Sequence, residues 1–162
     1  AIRAALTGHL VLSTLHTNDS AGALTRLVDM GVEPSLVASA VTGVVAQRLV
    51  RTICPDCQTL YYPPAAIREQ LGVVDDDQFQ LARGRGCEAC YDSGFKGRAG
   101  IYELLGVDDD IRHLILSHAS TEEIRQHRQQ SPLPSLQQDG YRKVLQRLTT
   151  LEEVTRVVSF DD

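Results

Sequence analysis

The chain has 162 residues, 43% of them hydrophobic, and a formal net charge of −5. That is apolar material for one ordinary domain or two small ones, which excludes global disorder. The acidic balance withholds the basic footprint of a nucleic-acid binder, and no apolar run approaches the roughly 20 residues that cross a bilayer.

The chain opens on Ala-Ile-Arg-Ala-Ala-Leu without an initiator Met or a signal-peptide pattern, and reads as cut from inside a larger protein. Residues 10–15 form an apolar run bracketed by His9 and His16, which predicts a short buried strand with a polar turn after it. Asp19 or Ser20 can cap a helix carrying Ala23, Leu24, Leu27 and Val28, with Gly31 as its left-handed stop. Pro34 suits the first turn of a second helix. Leu36, Val37, Ala40, Val41, Val44, Val45 and Leu49 extend it at helical spacing and predict a wide buried stripe.

Texture changes near residue 52. Pro and Gly become frequent and apolar periodicity fades, until residues 99–105 read as a strand returning to a core. Helices follow after Asp108. Ser120 with Glu123, and Thr150 with Glu153, both fit a capping box, a hydroxyl at the cap and a carboxylate three residues on. Two basic groups stand out, Arg48 with Arg51 and Arg83, Arg85, Lys96 with Arg98; both read as solvated faces or internal partners.

The four cysteines form two pairs, Cys54-Pro-Asp-Cys57 and Cys87-Glu-Ala-Cys90, with 29 residues between them. Two Cys-x-x-Cys knuckles can converge four thiolates on one ion, the closed tetrahedral geometry of structural zinc. The spacer is long enough for a helix of its own, over residues 65–71. Disulfides need an oxidising compartment that nothing in the chain indicates, and a redox Cys-x-x-Cys is single and opens a helix. Two matched pairs favour metal, which would replace core that a segment of about fifty residues cannot supply.

His9 and His16 read in two ways. A histidine near a strand end is commonly a packing or capping residue. Yet His16 lies beyond the carboxyl end of its strand, where ligands bind in open α/β sheets, with Thr14 and Thr17 as nearby donors. No Gly-Lys dipeptide occurs in the chain, so a P-loop is absent from it and the nucleotide site is incomplete.

These residues resemble a known family. "LTGHLVLSTLHTN" is similar to the histidine box of the ATPases of bacterial type II secretion and type IV pilus assembly. "RLVDMGVEP", "AQRLVRTICPDC", "GRAGIYELL" and "TLEEVTRVV" continue the likeness in order over nearly the whole chain. The paired cysteines point to the general secretory pathway protein E branch and its pilus-assembly relatives.

The resemblance implies an α/β fold in three parts. Residues 1–52 would be the C-terminal portion of a RecA-like P-loop ATPase core, 53–104 a tetracysteine zinc subdomain, and 105–162 a helical C-terminal subdomain. It implies a cytoplasmic homo-hexamer, peripheral to the inner membrane through GspL-like and GspF-like platform proteins, hydrolysing ATP with Mg2+ to drive pseudopilus or pilus assembly. The Walker motifs would lie upstream of Ala1, so this piece alone is expected to be inactive and to expose apolar sheet edges.

Carried over by residue, His9 and His16 match the histidine box, with His16 the candidate for sensing the γ-phosphate or positioning the attacking water. A shift there would pass through its loop and helix into subunit motion. Gln47 and Arg48 match a segment beside the nucleotide core, and Cys54, Cys57, Cys87 and Cys90 match the zinc ligands. His113, His118 and His127 match nothing functional and read as exposed helix residues. The reading from a different class, a zinc-ribbon module that binds nucleic acid or protein, is disfavoured by the acidic charge and by the absence of Trp.

Overall fold

A computed structural model describes residues 1–158 apart from Asp75 and Asp77. Along the chain the elements are α1 (Ile2–Leu6), α2 (Ser20–Asp29), α3 (Pro34–Ala40), β1 (Gly43–Ile53), β2 (Gln58–Tyr61), α4 (Ala65–Gln70), β3 (Leu81–Gly84), a 3-10 turn (Glu88–Cys90), β4 (Phe95–Gly106), α5 (Asp109–Leu116), α6 (Thr121–Gln129), α7 (Leu136–Leu145) and α8 (Leu151–Val158). They divide into two units, each drawn from two stretches: residues 1–47 with 102–135, and residues 48–101 with the chain from Leu136 onward. The last four residues of the expected helical segment, 159–162, lie outside the described residues.

In the first unit, Leu24 of α2, Val37 of α3, Leu105 of β4, Ile111 and Ile115 of α5 and Ile124 of α6 form one buried cluster. Each helix reaches it with one apolar face, and α2, α5 and α6 start on side-chain caps, whereas α3 starts on Pro34 without one. Asp19 accepts the Gly22 N–H at 2.8 Å and Asp108 accepts the Ile111 N–H at 2.9 Å. At α6 the capping box is complete: Ser120 accepts from the Glu123 N–H, and the Glu123 carboxylate accepts from the Ser120 N–H at 2.7 Å.

In the second unit, β2 and β3 pair antiparallel from Gln58 opposite Gly84 to Tyr61 opposite Leu81. Helices α7 and α8 pack together closely enough that a Cβ at Gly140 would stand 2.4 Å from a Val154 methyl. The connection between α7 and α8 covers an edge of β1: the Ile53 N–H donates to the Leu148 carbonyl at 2.9 Å, and the Thr149 hydroxyl donates to the Arg51 carbonyl at 2.7 Å. β1 also pairs with β4.

Three expectations change. The helix expected from Pro34 to Leu49 stops at Ala40, and β1 begins at Gly43. Val41, Thr42, Val44 and Val45 are β-branched and Gly43 is a poor helix residue, so this stretch favours a strand once β4 offers a partner. Exposed residues then alternate with covered ones from Gly43 to Val50, a period of two.

Residues 10–15 are not a buried strand. They belong to no helix or strand among the described residues, with Leu10 88% and Leu12 87% exposed. A strand is stable only beside a hydrogen-bonding neighbour, which these residues lack here.

The second capping box is half made. Thr150 Oγ accepts the Glu153 N–H at 3.3 Å, but the Glu153 carboxylate turns to Arg51 and Arg156. Two arginines out-compete one amide for a buried charge.

Candidate metal centre and the histidine segment

The hairpin of β2 and β3 builds the cysteine cluster. Cys57 immediately precedes β2, and Cys87 follows β3 by three residues, so pairing the strands brings the knuckles to the same end. The Arg85 N–H donates to the Cys57 carbonyl at 3.1 Å and extends the ladder past Gly84. The Cys54 N–H donates to the Gly94 carbonyl at 2.9 Å and ties the first knuckle to the turn after the second.

Two glycines let these backbones meet. A Cβ at Gly84 would stand 2.0 Å from the Gly94 carbonyl oxygen. Gly86 has φ +92°, and a Cβ there would stand 2.8 Å from the Asp92 carbonyl.

All four Sγ atoms lie within 4.8 Å of one another. Cys54 to Cys87 is 4.0 Å, Cys57 to Cys90 3.8 Å and Cys87 to Cys90 3.7 Å. A disulfide would need about 2.05 Å, whereas a tetrahedron with metal–sulfur bonds of about 2.3 Å has edges of about 3.8 Å. The four cysteines therefore have the spacing of a metal site.

Backbone amides turn toward the sulfurs: the Cys87 and Gly94 N–H groups each lie 3.3 Å from Cys90 Sγ. Burial pushes the Cys57 thiol up, and it pushes the Cys87 thiol up to about 12. Burial acts in the same direction on Cys90, but the amides of Cys87 and Gly94 prevail and hold it down at about 7. Four thiolates on one spot require a cation among them.

Lys96, read from the sequence as part of a solvated face or as an internal partner, finds such a partner beside the metal centre. Its Nζ lies 3.2 Å from Asp56 Oδ2, inside the first knuckle, and its pKa is raised chiefly by the hydrogen bond to Asp56, with smaller contributions from the charges of Cys54 and Cys87. A lysine beside a thiolate-rich centre partly offsets its negative charge. The remaining basic residues of the two patches also find internal partners in part: Arg51 binds Glu153, and Arg83 lies over the Tyr61 ring at 5.2 Å.

The histidine-box residues stand apart from this centre in the chain. His9 is exposed just after α1, its Nδ1 3.1 Å from Thr7 Oγ and 3.3 Å from the Ala4 carbonyl. His16 is exposed in the segment leading to α2. The Thr17 hydroxyl donates to the Asp19 carbonyl at 3.1 Å and shapes the end of that segment.

Gln47 and Arg48 sit on β1, not on a helix, and the Gln47 amide donates to Tyr102 Oη at 3.2 Å. The four cysteines are thus brought together, while His9, His16 and the adjacent pair Gln47 and Arg48 are not gathered into one cluster. Of the other histidines, His113 is exposed on α5. His118 sits in the turn after α5, and His127 is half-buried on α6, 3.7 Å from Asp108. No helix among the described residues is long and apolar enough to cross a membrane.

Comparison with known proteins gives the chain its context. The family model for Type II/IV secretion system proteins matches residues 1–156. Type II secretion system protein E of Pseudomonas aeruginosa is 52% identical over 97% of this chain and 31% of its own length. Type II secretion system ATPase E of Vibrio cholerae is 48% identical over the same shares. Type IV pilus assembly ATPase PilB of Thermus thermophilus is 47% identical over 95% of this chain and 18% of its own. The chain spans about a third or less of the length of these relatives. With the family model covering all but the last few residues, and with identity near one half to its members, the chain belongs to the Type II/IV secretion system protein family.

Proposed function

We propose that this chain is the C-terminal part of a RecA-like, hexameric ATPase that couples ATP hydrolysis to type II protein secretion through pseudopilus assembly at the inner membrane. The observation that carries the reading is the 52% identity, over 97% of the chain, to a type II secretion system protein E. The 48% identity to a protein named as an ATPase of that system supports the enzymatic half of the proposal. Assembly of type IV pili is the second reading, favoured by 47% and 43% identity to two pilus assembly ATPases.

In this reading Cys54, Cys57, Cys87 and Cys90 hold Zn2+ in a closed site with no open position, so the ion supplies rigidity and no catalysis. His16, with His9 behind it, faces the phosphates of ATP bound with Mg2+ to other parts of the whole protein. Gln47 and Arg48 stand near that nucleotide core. The zinc-bearing unit gives the motor a stiff outer surface for GspL-like and GspF-like membrane partners. The apolar run of residues 10–15 becomes a strand of the shared core sheet.

The test is ATP turnover by the whole protein with His16→Ala, read beside metal content. The expected result is a large fall in turnover with one zinc ion per chain retained. Normal turnover and secretion in that variant would remove His16 from the mechanism; absence of zinc from the unaltered protein would remove the metal.

A further inference from the structure

The first unit carries a buried polar network that the proposed chemistry does not use. Ser20, the first residue of α2, is fully buried; its hydroxyl donates to Glu103 Oε1, and its N–H lies 3.4 Å from the same atom. Glu103 sits on β4 at 8% exposure. Arg128 of α6, at 5% exposure, brings its Nε to 3.6 Å from Glu103 Oε2, and its Nη2 donates to the Pro134 carbonyl.

One turn earlier on α6, Arg125 reaches the residue before Ser20. Its Nε and Nη2 both lie 2.8 Å from Asp19 Oδ2, while Asp19 Oδ1 caps α2. Thr25 and Thr121 add a hydroxyl contact at 2.8 Å between the same two helices.

Apolar residues of equal volume would hold α2 against β4 and α6 at no loss of stability, since buried ion pairs roughly break even with such replacements. What charged groups add is a fixed register, because each needs its own partner. The register fixed here is that of Asp19 and Ser20, where the exposed histidine segment enters its helix. Thr17, one residue after His16, is tied to the Asp19 carbonyl at 3.1 Å.

We propose that Glu103, with Arg125 and Arg128, forms a clamp of positioning residues that sets where the His16 segment stands at the start of α2. The inference rests on the role given to His16 above. It makes α6, more than a hundred residues further along the chain, part of the histidine-box machinery.

The test uses the whole protein with Arg125→Ala, Arg125→Lys and Ser20→Ala. The Arg125 side chain is 41% exposed, so its truncation leaves the core intact. Three readouts are taken: amide exchange over residues 9–20 without nucleotide, kcat and KM for ATP, and zinc content. Expected are exchange at residues 16–20 faster by about tenfold and a kcat lower by about 10-fold to 100-fold at nearly constant KM. Zinc content should not change, and Arg125→Lys should recover most of both losses.

Wild-type exchange in both Arg125→Ala and Ser20→Ala overturns the clamp. Faster exchange with wild-type kcat upholds the clamp and overturns the role of His16. A rise in KM alone marks a binding defect and counts against positioning.

Discussion

Neutralising Glu153 should weaken the second unit by a predictable amount and in a predictable pH window. The carboxylate is 1% exposed and accepts four hydrogen bonds. They come from the Arg51 N–H at 3.1 Å and its Nη2 at 2.8 Å, and from Arg156 Nε at 3.1 Å and Nη2 at 2.6 Å. Burial alone would raise its pKa, but the two arginines and the amide reverse this and hold it at about 2, against an ordinary 4.5. At about 1.4 kcal/mol per pKa unit, that depression corresponds to about 3 kcal/mol of native-state stabilisation at neutral pH.

Glu153→Gln keeps an oxygen for the Arg51 N–H. Both arginine side chains are about half exposed, 48% and 52%, so they rehydrate when the charge is gone. The expected loss is therefore about 2 kcal/mol. Because the native pKa lies below the unfolded one, the stabilisation is complete above the ordinary value of 4.5 and disappears as pH falls toward 2. Urea unfolding followed by far-ultraviolet circular dichroism, on both proteins between pH 7 and pH 2.5, measures it. The difference between the proteins cancels carboxylates and thiols that titrate in both. A gap below about 0.5 kcal/mol at pH 7, or one that stays constant down to pH 3, refutes the argument.

Other outcomes follow from the same structure. Chelation or Cys87→Ser should release metal and speed amide exchange over residues 53–104 before residues 1–52; equal protection in both states would contradict a structural ion. Gly84→Ala should push the Gly94 carbonyl away and cut zinc retention, read with a metallochromic dye under chelator challenge, because its Cβ would stand 2.0 Å from that oxygen. Ser120→Ala removes the hydroxyl that accepts the Glu123 N–H at α6, while the backbone N–H stays to serve the Glu123 carboxylate, and should cost about 1 kcal/mol, seen as a Tm lower by about 2–4 °C for a chain of this size.

Much of the metal centre was legible because ligand type and spacing are local: two Cys-x-x-Cys pairs converge once any hairpin joins them. The Asp19 and Ser120 caps were legible for the same reason, each being a hydroxyl or carboxylate a few residues from the amides it serves. The failures are all non-local. Residues 41–49 satisfy a helical period and a strand period alike, and only pairing with β4 decides between them. Residues 10–15 have a strand's composition, but composition supplies no neighbour. Glu153 sits at the third position of a capping box, and no local rule shows that Arg51, about a hundred residues away, takes its carboxylate. Nor does "GRAGIYELL" reveal that Glu103 alone among its neighbours would be a buried anion facing Ser20.

Because the sulfurs gather at one end of the β2–β3 hairpin, the described residues between Tyr62 and Gln80 hang from the other end. Tying the base makes the excursion's length nearly irrelevant to the ion, since closure entropy grows only with the logarithm of loop size. Evolution, or an engineer, can lengthen, shorten or replace that excursion as a cassette, provided that a residue as well covered as Leu71, at 7% exposure, still plugs it into the unit.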